Sequence, residues 1–99
     1  MATFITTIKF TEKGIEHIQG SPKRAAAFKT AAKKMGVKVT GIYWTLGSFD
    51  GVLIFDAPND ETATAAMLYL ASQDNVSTTT ARAFDSSEIA KVIGLLAKK

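Results

Sequence analysis

The stretch Trp44-Thr45-Leu46-Gly47-Ser48-Phe49-Asp50-Gly51-Val52-Leu53-Ile54-Phe55 (WTLGSFDGVLIF) decides the fold. An apolar run enters it and another leaves it, and two glycines, an aspartate and a phenylalanine stand between them. Glycine adopts positive φ at little steric cost, and turn aspartates accept nearby backbone N–H groups. Gly47 and Gly51 therefore read as the structural glycines of a hairpin turn. Residues 37–46 (VKVTGIYWTL) and 51–58 (GVLIFDAP) become its two strands.

Upstream, residues 2–10 (ATFITTIKF) read as a strand, with Phe4, Ile8 and Phe10 on one face and Thr3, Ile5, Thr7 and Lys9 on the other. Thr11 caps a short helical turn. In GSPKR, Ser21 is the expected cap and Pro22 suits the first helical position. Phe28, Ala31, Ala32 and Met35 then form a buried stripe, and Gly36 ends the helix. Downstream, Asn59 or Asp60 caps a helix whose core stripe is Ala63, Met67 and Leu70. VSTTTARAF reads as a fourth strand, rich in β-branched residues. Asp85 with Glu88 opens a last helix as a capping box, with Ile89, Val92, Ile93 and Leu96 along one side.

The order is βαββαβ plus a C-terminal helix. This is the ferredoxin-like α+β arrangement, a four-stranded antiparallel sheet with helices on one face. Residues 1–99 form a single domain, and no linker divides them. The third strand is apolar on both faces, Val52 and Ile54 against Leu53 and Phe55. Helices cover only one of them, and antiparallel sheets of this kind normally show water a polar face. A second copy is the simplest cover, so we expect a homodimer, or a higher homo-oligomer, built as a dimeric α/β barrel.

Composition narrows the function classes. With 46% hydrophobic and 21% charged residues, the chain has enough apolar surface to fold. It has no cysteine, which excludes disulfides, thiolate metal sites and cysteine nucleophiles. MATFITTIKF is too short and polar for a signal peptide, and no apolar run approaches a membrane span. A cytoplasmic location without membrane association is expected.

The segments FITTIKFTEKG, SPKRAAAFKTAAKKMG, IYWTLGSFDGV, APNDETA and NVSTTTARAF, taken in this order from Phe4 to about Phe84, resemble the GYD family. These are small bacterial and archaeal proteins named for a Gly-Tyr-Asp motif. The resemblance implies the same fold and the dimeric barrel, but no settled activity. Phe49 stands where the family usually has tyrosine, so chemistry that used that hydroxyl would be lost here. A similar hairpin occurs in the effector-binding domain of leucine-responsive transcription regulators, without whose DNA-binding half this chain would be a stand-alone effector domain.

The candidate ligand-binding residues are Tyr43, Trp44, Phe49, Asp50 and Arg82. Tyr43 and Trp44 are adjacent on a strand and point to opposite faces, one under the helices and one toward the barrel interior or the dimer seam, where interface packing is the favoured reading. Phe49 and Asp50 would line a cleft at the sheet edge, although a turn role is the favoured reading of both. Arg82 shares a strand face with Thr78 and Thr80, where a guanidinium among hydroxyls suits a small acid. A solvated edge strand explains that set better. The single histidine, His17, lacks the partners of a metal site, so neither metal nor cofactor is expected. Lys23, Arg24, Lys29, Lys33 and Lys34 line one helix without an intervening acid, and read as a solvated face rather than a nucleic-acid surface.

The leading expectation is a homo-oligomeric assembly or binding module, formed by face-to-face sheet packing, with a small apolar or acidic ligand in its cleft. The competing classes are a cofactor-independent oxygenase or isomerase using the barrel interior, and the stand-alone effector domain.

Overall fold

A computed structural model describes residues 1–97. Four strands, β1 (Ala2–Phe10), β2 (Lys38–Trp44), β3 (Gly51–Ala57) and β4 (Val76–Ala83), form one sheet in the order β2-β3-β1-β4. Every pairing is antiparallel, as in the ferredoxin-like fold. Four α-helices accompany them: α1 (Glu12–Glu16), α2 (Ser21–Lys34), α3 (Asp60–Ser72) and α4 (Ser86–Gly94).

Strand alternation creates the layers. Phe4 and Thr6 on β1, with Leu53, Phe55 and Ala57 on β3, are buried beneath α2 and α3. The helices contribute Phe28, Ala32, Ala63 and Ala66 to the same core. Phe4 and Phe55 are directly paired, and their rings stack with centroids 5.3 Å apart. Thr6 is wholly buried, and its hydroxyl is 2.8 Å from that of Thr80 on β4. That hydrogen bond offsets the desolvation of the Thr6 hydroxyl, while Thr80 itself is exposed.

Helix ends are fixed by local chemistry. The side chain of Thr11 accepts from the Gly14 amide, that of Asn59 from Thr62, and that of Asp85 from Glu88. Gly36 follows α2 at φ +86°, and the Val37 amide donates to the Ala32 carbonyl at 2.9 Å. Two expectations need correction. Gly20, not Ser21, stands at the N-cap of α2, because the Ser21 hydroxyl is engaged by a tryptophan. β2 is also shorter than the expected 37–46, and its register shifts between Val39 and Gly41.

No helix of the described residues lies over the other sheet face. Ile5, Val52, Ile54 and Tyr43 lie there together, with Ile5 39% and Tyr43 61% exposed. The Tyr43 ring extends back over Gly41, where an added Cβ would come within 3.0 Å of it. α4 projects from the body, and the long axis of the molecule reaches 54 Å. Ile89, Val92, Ile93, Leu95 and Leu96, on α4 and the turn after it, are all exposed. No helix of the described residues is long and apolar enough to cross a membrane.

Candidate functional site

The loop between β2 and β3 is built from its own polar atoms. Thr45 donates its amide to the Asp50 carbonyl at 2.9 Å and its hydroxyl to the Phe49 carbonyl at 2.7 Å. Gly47 sits at φ +141°, a conformation side chains rarely adopt. Gly51 has no positive φ; it is needed for space, since a Cβ there would lie 3.0 Å from the Tyr43 carbonyl. The Asp50 amide donates to the Ile8 carbonyl at 2.7 Å, and its carboxylate accepts the Phe10 amide at 2.8 Å. The side chain thus prolongs the β1–β3 ladder by one rung, bonding another strand rather than its own loop.

Beside this corner a cavity of about 160 Å³ opens on the helix side of the sheet, between α2 and α3. Its floor includes Ile8, Ile42 and Leu53, and its walls Ala25, Phe28 and Leu70. Trp44 borders it, and its indole Nε1 donates to the Ser21 hydroxyl at 2.9 Å, tying β2 to the first turn of α2. Tyr69 stacks on Phe28 at the same wall, 6.5 Å between centroids.

Arg24 and Asp50 are the charged residues among those bordering the cavity. Arg24 Nη1 donates to the His17 carbonyl at 2.8 Å. Its Nη2 is buried without a hydrogen-bond partner among the described residues. An unsatisfied buried guanidinium nitrogen is costly, and such groups in native folds commonly mark a missing partner.

Of the expected ligand residues, Tyr43, Trp44 and Asp50 border this cavity, whereas Phe49 and Arg82 are not in its lining. Tyr43 and Trp44 do point to opposite faces, since Trp44 pairs with the buried Gly51 and Tyr43 with Val52. Arg82 lies at the opposite corner of the sheet, on the far edge strand and at the other end of the strands. Its partner residue there is Phe4, so Thr78, Thr80 and Arg82 face the helix side and not a barrel interior. Arg82 packs over the Phe84 ring and meets Glu88 at 3.2 Å, joining β4 to α4. Arg24 is hidden in the sequence because it falls within a run of cations. The available signal is its position one turn before Phe28, on the buried stripe.

The family profile of the GYD domain matches residues 4–93 of the 99. The chain belongs to the GYD family. The match runs beyond Phe84 and takes in most of α4, so the projecting helix is part of the GYD domain rather than an appendage. A GYD-sized relative in Thermus thermophilus is 32% identical over 90 residues, 90% of this chain and 95% of its own. That protein is named "Glutamine synthetase and cystathionine beta-lyase binding protein". No solved structure matches this GYD chain.

Proposed function

We propose that this GYD protein is a cytoplasmic binding module that associates with a second copy of itself and, as an oligomer, docks on a metabolic enzyme. No catalytic step is required of it. The observation that carries this reading is the uncovered sheet face, where Ile5, Tyr43, Val52 and Ile54 form one continuous apolar surface. Isolated exposed apolar side chains are ordinary, but a contiguous exposed apolar patch marks an interaction surface.

From strand spacing and rise, the sheet face offers on the order of 500 Å² per copy. A stable interface buries about 1,200–2,000 Å² in total, so the face alone falls short. α4 supplies further apolar area through Ile89, Val92 and Ile93. The relative's name supports an enzyme as the client, since that protein is named for binding two of them.

Native mass spectrometry tests the self-association. The wild-type chain is expected to give twice its 10.6 kDa mass or a multiple of it. Ile54→Lys, which places a charge in the middle of the patch, is expected to give the monomer with an unchanged circular dichroism spectrum. A wild-type monomer, or an Ile54→Lys protein that stays oligomeric, would defeat the reading. Surface-immobilised protein probed with glutamine synthetase and with cystathionine beta-lyase from the same cells tests the client.

A further inference from the structure

The cavity between α2 and α3 lies on the opposite side of the sheet from the proposed interface and shares only Tyr43 with it, so its use does not require self-association. We propose that it binds a small monocarboxylic acid carrying a ring or short aliphatic chain, with the carboxylate held by Arg24.

Three observations converge on this ligand class. The volume of about 160 Å³ is close to that of dry protein cavities that take up benzene, which sets the size of the apolar body. The surrounding Ile8, Phe28, Ile42, Leu53 and Leu70 offer such a body contacts and no hydrogen bonds. The buried Arg24 Nη2, without a partner among the described residues, demands an acceptor, and a carboxylate is the one that matches a guanidinium best. The His17 carbonyl on Nη1 holds one nitrogen of the group in place.

The charge of the ligand follows from the same lining. Arg24 is its single cation, and the Asp50 carboxylate borders the same space while already accepting from Phe10. A monoanion pairs with that cation and leaves only the Asp50 charge, itself held by the Phe10 amide, whereas a phosphate dianion would add a further unpaired charge in an apolar setting. Arg24 also lies in the first turn of α2, which begins after Gly20, a residue with no side chain to cap the helix. The positive end of the helix dipole reinforces an anion at that position.

Trp44, the chain's single tryptophan, borders the cavity and reports on its contents. The experiment titrates the purified full-length protein with phenylacetate and with hexanoate, and with phenylacetamide as the neutral counterpart. Trp44 fluorescence and calorimetry are the readouts. The acids are expected to bind at least about tenfold more tightly than the amide, the discrimination typical of a charged hydrogen bond. Arg24→Gln is expected to remove that preference, and Ala25→Leu, which fills the cavity, to abolish binding of both classes.

Equal affinities for acid and amide would overturn the proposal. So would unaltered phenylacetate binding by a folded Arg24→Gln, or no response to either acid up to about 10 mM, a concentration that already reveals millimolar affinities. Should Arg24→Gln fail to fold, the acid–amide comparison on the wild type and the Ala25→Leu variant decide the matter.

Discussion

Asp50 joins the hairpin to β1 through two bonds, its amide to Ile8 and its carboxylate to the Phe10 amide. Asp50→Ala removes the acceptor of a partly buried N–H and is expected to cost about 1–2 kcal/mol in urea unfolding. Asp50→Asn keeps a side-chain oxygen and is expected to lose well under half of that. Gly14 is a harsher case. A Cβ there would lie 2.0 Å from the Asn75 carbonyl oxygen, a backbone atom that cannot swing away. Gly14→Ala is expected to destabilise the fold by roughly 1–3 kcal/mol, as overpacking does, with a matching fall in Tm. Neither Gly14 nor the true partner of Asp50 was legible in the sequence. Both depend on which strand end or loop lies alongside, and alternation patterns do not encode that. The turn itself was legible, because Gly47 and the bonds between Thr45 and Asp50 act locally.

Element ends follow the sequence wherever their signals are local. Thr11 and Asp85 cap the helices expected of them, and of Asn59 and Asp60 it is Asn59 that caps α3, each by accepting an amide three residues ahead. Ser21 broke the rule for a tertiary reason: Trp44, 23 residues away, takes its hydroxyl. The shortened, bulged β2 likewise reflects Gly41 and the ring laid across it, a contact made only once the sheet exists. Asp85 carries a consequence for acid conditions. The Glu88 amide it accepts, helped by the Ser87 hydroxyl, holds its carboxyl below the usual aspartate value. A carboxyl depressed in the folded state stabilises it above the unfolded pKa, and that contribution disappears as pH falls through the folded value. Helix content of α4 is therefore expected to fall below about pH 4. Circular dichroism of Asp85→Ala should show the lower helicity already at neutral pH and little further change on acidification.

At the scale of the molecule, the radius of gyration of 15.2 Å exceeds the ~13 Å expected of a compact chain of about 100 residues. α4 is the cause, since it extends from the body and contributes no buried residue. Deleting residues 86–99 is expected to change the unfolding midpoint of the monomeric Ile54→Lys protein by only a few degrees. The same deletion in the otherwise native chain is expected to weaken the oligomer at least tenfold, measured by dilution in analytical ultracentrifugation. Retention of full oligomer strength would restrict the interface to the sheet. The βαββαβ order of elements and the two-faced β3 followed from the sequence, because element succession and parity along a strand are one-dimensional properties. The helix-side cavity did not, because its walls come from elements scattered along the chain.

β1 occupies the second position from the β4 edge and pairs with β3 and β4, both of which follow it in the chain. Thr6 and Thr80, bonded in the finished sheet, are 74 residues apart. At a synthesis rate of about 5–20 residues per second, the first strand is made roughly 4–15 s before its last neighbour exists. During that interval its ladder groups have no native match. The domain thus cannot complete its sheet while it is being made, and closure belongs to the moment after the last strand is released, with a slow, non-local step characteristic of such topologies.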